Sequence, residues 1–185
     1  MKETEIVTCI SLFRGINVGG HNKIRMDDLK KVHEDLGLQD VVLYIQSGNV
    51  VFKSNSTDTA KISAQIKESV EKTFGFSVEV MVRTADELQA IIAKNPFADQ
   101  QDKELKWIVV FFLAARPSNS AQEDLLKTYT GPEEIFVRNN EVYIYYPDGI
   151  GRSKLTNTLL EKKLKTAGTA RNWNTVLQLQ KMIQQ

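Results

Sequence analysis

The sequence has little of what several protein classes require. It contains one cysteine, Cys9, and two histidines among 185 residues, so it offers neither an internal disulfide nor a Cys/His metal centre. The strongest apolar run, residues 107–115, is far shorter than the roughly 20 residues that cross a bilayer. Residues 1–13 have too short an apolar stretch for a secretion signal. We therefore expect a cytoplasmic protein without metal, cofactor or membrane segment, and its oligomeric state stays open.

The sequence also lacks an excess of charge of either sign. The chain has 24 Lys and Arg residues against 23 Asp and Glu residues, which gives a formal net charge of +1. A nucleic-acid-binding domain usually carries a basic surplus that matches its phosphate contacts. We therefore do not expect nucleic acid as the main partner, and the ordinary apolar and charged fractions indicate a globular protein.

The first half of the chain alternates between strand and helix patterns. Ser47-Gly48 separates two strand-like runs and predicts a two-residue hairpin. Gly37 and Gly75 are typical helix ends. In chain order, the pattern predicts strand 5–13, helix 26–36, strands 41–46 and 49–53, helix 62–74 and strand 77–82, an order of β-α-β-β-α-β.

The second half repeats this order. Thr84 with Glu87 and Ser120 with Glu123 each form a capping box that predicts a helix start. Asn139-Asn140 predicts a second hairpin. The elements are a leading helix 84–95, strand 107–113, a helix from 120, two strands around 139–140, a helix from 151 through 165, a short strand near 168–171 and a C-terminal helix with Trp173 on its apolar face.

The repeated β-α-β-β-α-β order predicts an α+β protein of two ferredoxin-like units with antiparallel sheets, plus a C-terminal helix. We place the first unit at 1–83 and the second at 84–185, with its leading and C-terminal helices. In this topology the end of the first strand and the hairpin lie at one sheet edge, so residues 14–20 should lie beside 46–49. By the same rule, residues 151–154 and the end of 169–172 should share an edge of the second unit.

The glycine-rich loop that follows the first strand is not a known phosphate loop. Gly15 and Gly20 have the spacing of a P-loop, but His21 and Asn22 stand where Lys and Ser or Thr are required. A dinucleotide fingerprint is also missing. The loop nevertheless offers amide donors and cations ahead of a helix start, a position that favours anions. Two interpretations stay open, namely a loop whose glycines only provide positive φ and a loop that contacts an anion.

Two further stretches carry the same ambiguity. In "GRSKL", Arg152 and Lys154 flank Ser153 at the predicted helix start, where cations oppose the helix dipole and suggest an anion site. The alternative is a solvated basic turn with Ser153 as N-cap. In "TARNWN", Arg171 is the candidate for ligand contact, whereas Trp173 follows the helical phase of the core.

Nucleophilic catalysis finds little support in the sequence. No G-x-S-x-G motif occurs, and Cys9 lies in a strand that should be central, so we expect a buried and unreactive thiol. The ferredoxin-like fold is also that of RNA-recognition modules, which stack bases on exposed aromatic rings. Phe13 and Phe52 are single aromatics where such modules have two or three.

The segments "RGINVGGHNKIRM", "YIQSGNVVF", "NPF", "GRSKL" and "TARNWNTV" together resemble a bacterial family known as domain of unknown function 1697. The resemblance covers nearly the whole chain. It implies paired ferredoxin-like units, and it implies no activity and no catalytic residues, because none is established for the family.

The function that we expect is the binding of a small anionic, for example phosphorylated, metabolite in a cleft between the two units. The alternative is a weak nucleic-acid-binding or protein-interaction module without catalysis, and whether any reaction is catalysed stays open. The candidate ligand-binding residues are Arg14, Asn17, Gly19, Gly20, Lys23, Gln46, Ser47, Asn49, Arg152, Ser153, Lys154 and Arg171.

Overall fold

The computed structural model describes residues 5–185, which divide into two compact units. The first unit contains the described residues up to Ala90 together with Leu179–Gln185, and the second contains Ile91–Gln178. The sequence-based division at 83/84 assigned the leading helix and the C-terminal helix entirely to the second unit. In the structure, both helices contain residues of each unit.

The first unit holds four strands and two helices between them. They are β1 (Val7–Phe13), α1 (Met26–Asp35), β2 (Gln39–Tyr44), β3 (Asn49–Ser54), α2 (Thr59–Phe74) and β4 (Val80–Thr84), and α3 (Ala85–Ala93) follows.

The second unit has the same element order. A short 3-10 helix, Leu105–Trp107, precedes it, and another, Ile150–Arg152, lies after its third strand. No helix among residues 5–185 is both long enough and apolar enough to cross a membrane. The elements are β5 (Ile108–Leu113), α4 (Asn119–Thr128), β6 (Glu134–Arg138), β7 (Glu141–Tyr145), α5 (Asn157–Leu164), β8 (Gly168–Asn172) and α6 (Trp173–Ile183).

Each unit contains one four-stranded antiparallel sheet. The strand order is β2-β3-β1-β4 in the first unit and β6-β7-β5-β8 in the second. In the first sheet, Leu12 of β1 pairs with Asn49 on one side and with Met81 on the other. The predicted α+β class with two antiparallel sheets is confirmed, and β1 and β5 occupy inner positions.

Two helix starts differ from the sequence prediction. The Thr84–Glu87 capping box is present, with the Thr84 amide donating to Glu87 at 2.8 Å, but the predicted start at Ser120 is wrong. The cap is Ser118, which has an extended backbone and accepts a hydrogen bond from the Ala121 amide. Ser120 lies inside the first turn, where its backbone is already helical and cannot serve as a cap.

The predicted start of an α-helix at residues 151–154 is also wrong, and so is the alternative in which Ser153 is the N-cap. The α-helix α5 begins at Asn157, because the Thr156 side chain accepts a hydrogen bond from the Leu159 amide and caps it there. Residues 150–152 form only a 3-10 turn. Arg152 and Lys154 therefore do not lie at the N-terminus of an α-helix. Opposition to a helix dipole is then no reason to expect an anion beside them.

The first hairpin has four loop residues, 45–48, where two were predicted. Asn49 is fully buried at the end of this loop, and its side-chain amide donates to the Tyr44 carbonyl at 3.0 Å and to Ser47 Oγ at 3.1 Å. These bonds close the loop, and Ile45 and Gly48 adopt positive φ angles in it.

The core of the first unit lies between one face of its sheet and the helices α1 and α2. Cys9 on β1 belongs to this core and is fully buried, as predicted, and burial raises the pKa of its thiol to about 11. Leu29 of α1 and Ile66 of α2 pack against the same strands. Trp173 is buried as well, which confirms its assignment to the core.

A histidine in this core links α1 to β1. His33 is completely buried, and its Nε2 lies 2.9 Å from Ser11 Oγ while its Nδ1 lies 2.8 Å from the Leu29 carbonyl oxygen. Because a carbonyl only accepts, Nδ1 carries the proton and the serine hydroxyl donates to Nε2. Burial lowers the pKa of His33 to about 4, although the bond to Leu29 opposes this shift.

We expect this histidine to make stability depend on pH. Its folded pKa lies below the ordinary value near 6.5, so the unfolded chain binds more protons between pH 6.5 and 4. The free energy of unfolding should therefore fall as the pH falls through this range, by up to about 1.4 kcal/mol per pH unit. Urea unfolding of the native protein and of His33→Gln should show a shallower slope for the variant. His21→Gln, which changes an exposed histidine, should keep the original slope, and equal slopes in all three proteins would contradict this assignment.

We expect Gly48 to be required for packing as well as for its backbone angle. Gly37 and Gly48 have nearly equal φ angles, +78° and +79°, but a Cβ on Gly48 would lie 2.6 Å from Ile16 Cδ1 and 2.7 Å from Phe13 Cβ, whereas one on Gly37 meets nothing. Gly37→Ala should therefore cost only about 1 kcal/mol in backbone strain. Gly48→Ala should cost about 1–3 kcal/mol more, because a buried overlap is added. The measurement is the free energy of unfolding in urea, and equal losses would refute the packing argument.

Candidate functional site

The predicted neighbourhood of the glycine loop and the hairpin loop is present in the first unit. We call residues 14–25, between β1 and α1, the glycine loop, and residues 45–48 the hairpin loop. The Phe13 amide donates to the Gly48 carbonyl at 2.9 Å, and the Asn17 side-chain amide donates to the Gln46 carbonyl at 2.9 Å. The two loops therefore form one edge of the unit.

Asn17 organises this edge. Its φ angle is +54°, which asparagine tolerates better than most residues. Its Oδ1 accepts a hydrogen bond from the Ile24 amide at 2.9 Å while its Nδ2 reaches Gln46. A second asparagine, Asn22, donates to the Gly15 carbonyl at 3.2 Å. The amides that the sequence offered as ligand donors are thus used to fold the loop.

A pocket of about 400 Å³ opens between the two loops and the start of α1. We call it the loop pocket. It contains four of the predicted ligand residues, and no carboxylate is among the residues that line it. Its lining consists of Asn17, Gly20, Lys23, Ile24, Arg25, Met26 and Gln46.

The electrostatics of the loop pocket are one-sided. Lys23 and Arg25 are exposed, and neither forms an ion pair or side-chain hydrogen bond with another residue in the range 5–185. Arg25 is also the N-cap of α1 and provides no side-chain cap, so backbone amides of the first turn keep unsatisfied donors. Asp27 and Asp28 in that turn complement the helix dipole, but they do not line the pocket.

Other predicted residues near this edge do not line the loop pocket. Arg14 is exposed and its backbone amide donates to the Glu79 carbonyl at 2.9 Å. Gly19 takes a positive φ angle of 59° in the glycine loop. Ser47 and Asn49 hold the hairpin loop together instead.

The residues predicted in the second unit lie at a different pocket. Arg152, Ser153 and Lys154 border a pocket of about 550 Å³, together with Tyr129 and residues 130–133. We call it the tyrosine pocket. The Tyr129 and Ser153 hydroxyls each donate a hydrogen bond to one oxygen of Glu133. Sequence reasoning missed Tyr129 and Glu133, because only the tertiary structure brings residues 129–133 against 152–154.

The charge state of this cluster follows from its hydrogen bonds. Burial by itself raises the pKa of Glu133, but the bonds from Ser153 and Tyr129 outweigh it and hold that pKa below its ordinary value. Burial, together with the bond to Glu133, raises the pKa of Tyr129 to about 12. Glu133 is therefore ionised at neutral pH, and its two oxygens accept hydrogen bonds from the Tyr129 and Ser153 hydroxyls.

Arg171 does not line either pocket. It lies on β8 opposite Val110, is only 7% exposed, and donates to Thr169 Oγ1 at 2.7 Å and to the Ala170 carbonyl at 2.8 Å. Burial lowers its pKa to about 10. The ends of β7 and β8 lie at the same edge of the second sheet, since Tyr145 of β7 and Asn172 of β8 pair with adjacent residues of β5.

The structure also bears on metal binding and on base stacking. Among residues 5–185, no group of three or more His, Cys, Asp or Glu side chains is placed to hold a metal ion.

The two aromatic rings considered for base stacking are buried. Phe13 and Phe52 are 1% and 0% exposed, and both rings contact His33 in the core. Neither ring can stack on a base, so the aromatic platform that RNA recognition needs is not formed by this pair.

We expect the two hydroxyls to set the pKa of Glu133. Tyr129→Phe and Ser153→Ala each remove one donor from the carboxylate, so each should raise its pKa towards the ordinary value. Tyr145→Phe removes a hydroxyl elsewhere in the same unit and should leave the pKa unchanged. Carboxyl-detected NMR titration of Glu133 measures this, and a pKa equal in all four proteins would contradict the hydrogen-bonded cluster.

Comparison with known proteins gives a structural relative and a family. The structure of the conserved bacterial protein SP0830 from Streptococcus pneumoniae matches with a TM-score of 0.78 and 19% sequence identity, covering 98% of this chain and 100% of that chain. At this identity the similarity shows a shared fold. A search of curated proteins finds no significant match. The family model described as protein of unknown function (DUF1697) matches residues 6–143, and this chain therefore belongs to the DUF1697 family.

Proposed function

We propose that this protein binds a small anionic ligand, such as phosphate or a phosphate ester, in the loop pocket of its first unit. The observation that carries the proposal is the pair Lys23 and Arg25, two cations without an ionic partner in the described chain at a concave site whose lining has no acidic residue. From the sequence we expected a cleft shared by the two units, whereas the loop pocket belongs to the first unit alone.

Charge-assisted hydrogen bonds make such a site favourable. A lysine ammonium and an arginine guanidinium both donate to phosphate or carboxylate oxygens, and the guanidinium offers two parallel donors. Gln46, which also lines the pocket, adds a side-chain amide. Backbone amides at the start of α1 add further donors next to these side chains.

Rigidity of the walls supports binding as well. The glycine loop and the hairpin loop are joined by the Asn17–Gln46 bond, and Asn17 also holds the Ile24 amide beside Lys23 and Arg25. A pocket that is held in shape before binding loses less entropy when the ligand arrives. Asn17 thus acts as a positioning residue in this proposal.

We also infer that each unit is of the ferredoxin-like type. The β-α-β-β-α-β order and the strand orders β2-β3-β1-β4 and β6-β7-β5-β8 support this assignment. It matters for function because this topology brings the first βα loop and the β2–β3 hairpin to one edge.

We expect inorganic phosphate to bind at the loop pocket and Lys23 to contribute to the affinity. In an NMR titration of the full chain, the amide signals of Gly20, Ile24 and Met26 should shift with phosphate concentration. Lys23→Ala should raise the dissociation constant for phosphate about tenfold, because it removes one charge-assisted hydrogen bond.

Lys31→Ala is the matched control, since it removes an equal charge from an exposed position of α1 outside the pocket. It should change the dissociation constant less than about twofold at physiological salt. If Lys31→Ala weakens binding as much as Lys23→Ala does, the anion is held only by the general field of the protein and the proposed site is wrong.

A further inference from the structure

Two residues with exposed apolar side chains are next in the chain to residues that line the loop pocket. Val18 is 62% exposed and Ile45 is 50% exposed. Val18 follows Asn17 in the glycine loop and Ile45 precedes Gln46 in the hairpin loop, and Asn17 and Gln46 are joined by a hydrogen bond of 2.9 Å. Val18 and Ile45 are thus each one residue from this bond, although neither is among the residues that line the pocket.

The backbone at Ile45 is strained. Its φ angle is +50°, a region that β-branched residues rarely adopt because the Cβ crowds the backbone. Asparagine or glycine would fit this position more easily, but the first would place a polar side chain there and the second none. The observed residue instead directs a large apolar side chain to the surface, and strained positions of this kind are concentrated at ligand sites.

We infer that the ligand of the loop pocket is a small amphiphilic anion, whose charged group contacts Lys23 and Arg25 and whose apolar part packs on Ile45 and Val18. This inference rests on the proposed function and adds the class of ligand to it. In this proposal the apolar part of the ligand extends out of the loop pocket onto the two exposed side chains of the adjoining loop residues. A free phosphate or a polar sugar phosphate would leave both apolar side chains in water.

Alkyl phosphates of increasing length test the inference. Isothermal titration of the full chain with methyl phosphate and with monomeric hexyl phosphate gives two dissociation constants. Hexyl phosphate should bind about tenfold tighter, because five further methylenes are partly removed from water. Neutral hexanol, which has the tail without the charge, should not bind measurably.

A variant of Ile45 separates the apolar contact with the ligand from the charged one. Ile45→Asn removes the apolar side chain and suits the positive φ angle, so the variant should fold. It should bring the two dissociation constants within about twofold of each other while leaving that of methyl phosphate unchanged. Leu126→Asn, at a similarly exposed apolar residue of the second unit, should keep the tenfold ratio.

The outcomes distinguish the inference from the proposed function. If methyl phosphate binds and hexyl phosphate binds no tighter, the amphiphile is wrong and the anion site stands. If neither ester binds and inorganic phosphate does not bind either, both are wrong. If the protein does not bind hexyl phosphate but binds vesicles that contain phosphatidylglycerol, Val18 and Ile45 meet a membrane surface. The inference of a small ligand is then overturned.

Discussion

The side-chain amide of Asn17 is the interaction on which the candidate site depends. It accepts from the Ile24 amide and donates to the Gln46 carbonyl, so one planar group joins the end of the glycine loop to the hairpin loop. These two loops come from different parts of the sequence, and the backbone hydrogen bond from Phe13 to Gly48 also links β1 to the hairpin loop. The two hydrogen bonds of Asn17 add to this link the segment that carries Lys23 and Arg25.

The orientation of α1 depends on a second polar pair, which is buried. Ser11 Oγ lies 2.9 Å from His33 Nε2, and since both residues are fully buried, these two polar atoms satisfy each other. The pair holds α1 on β1, and the start of α1 carries Arg25 and Met26 into the pocket. The buried hydrogen bond thus belongs to the same helix whose first residue, Met26, lines the loop pocket.

The two pockets differ in how their charges are balanced. In the tyrosine pocket, a carboxylate is satisfied by two hydroxyl donors, and Gly131 leaves the room for this contact, since a Cβ there would overlap the Tyr129 hydroxyl. In the loop pocket, two cations face solvent without an acidic residue in the lining. A chain with a net charge of only +1 thus holds a local positive site that the overall composition could not reveal.

The sequence by itself determined the order of strands and helices, the α+β class and the burial of Cys9, because these follow from the period of apolar residues along the chain. It also identified the edge where the glycine loop meets the hairpin, since the topology follows from the element order. Only the tertiary structure decided which candidate side chains of both units the fold itself uses, and where α5 begins. Asn17 and Asn49 are used by the loops themselves, Arg171 is buried on β8, and α5 starts at Asn157 because Thr156 caps it. Tyr129 and Glu133 join Ser153 across 20 residues of sequence. Local patterns record propensity and burial, whereas hydrogen-bond partners between distant residues exist only after the sheets have formed.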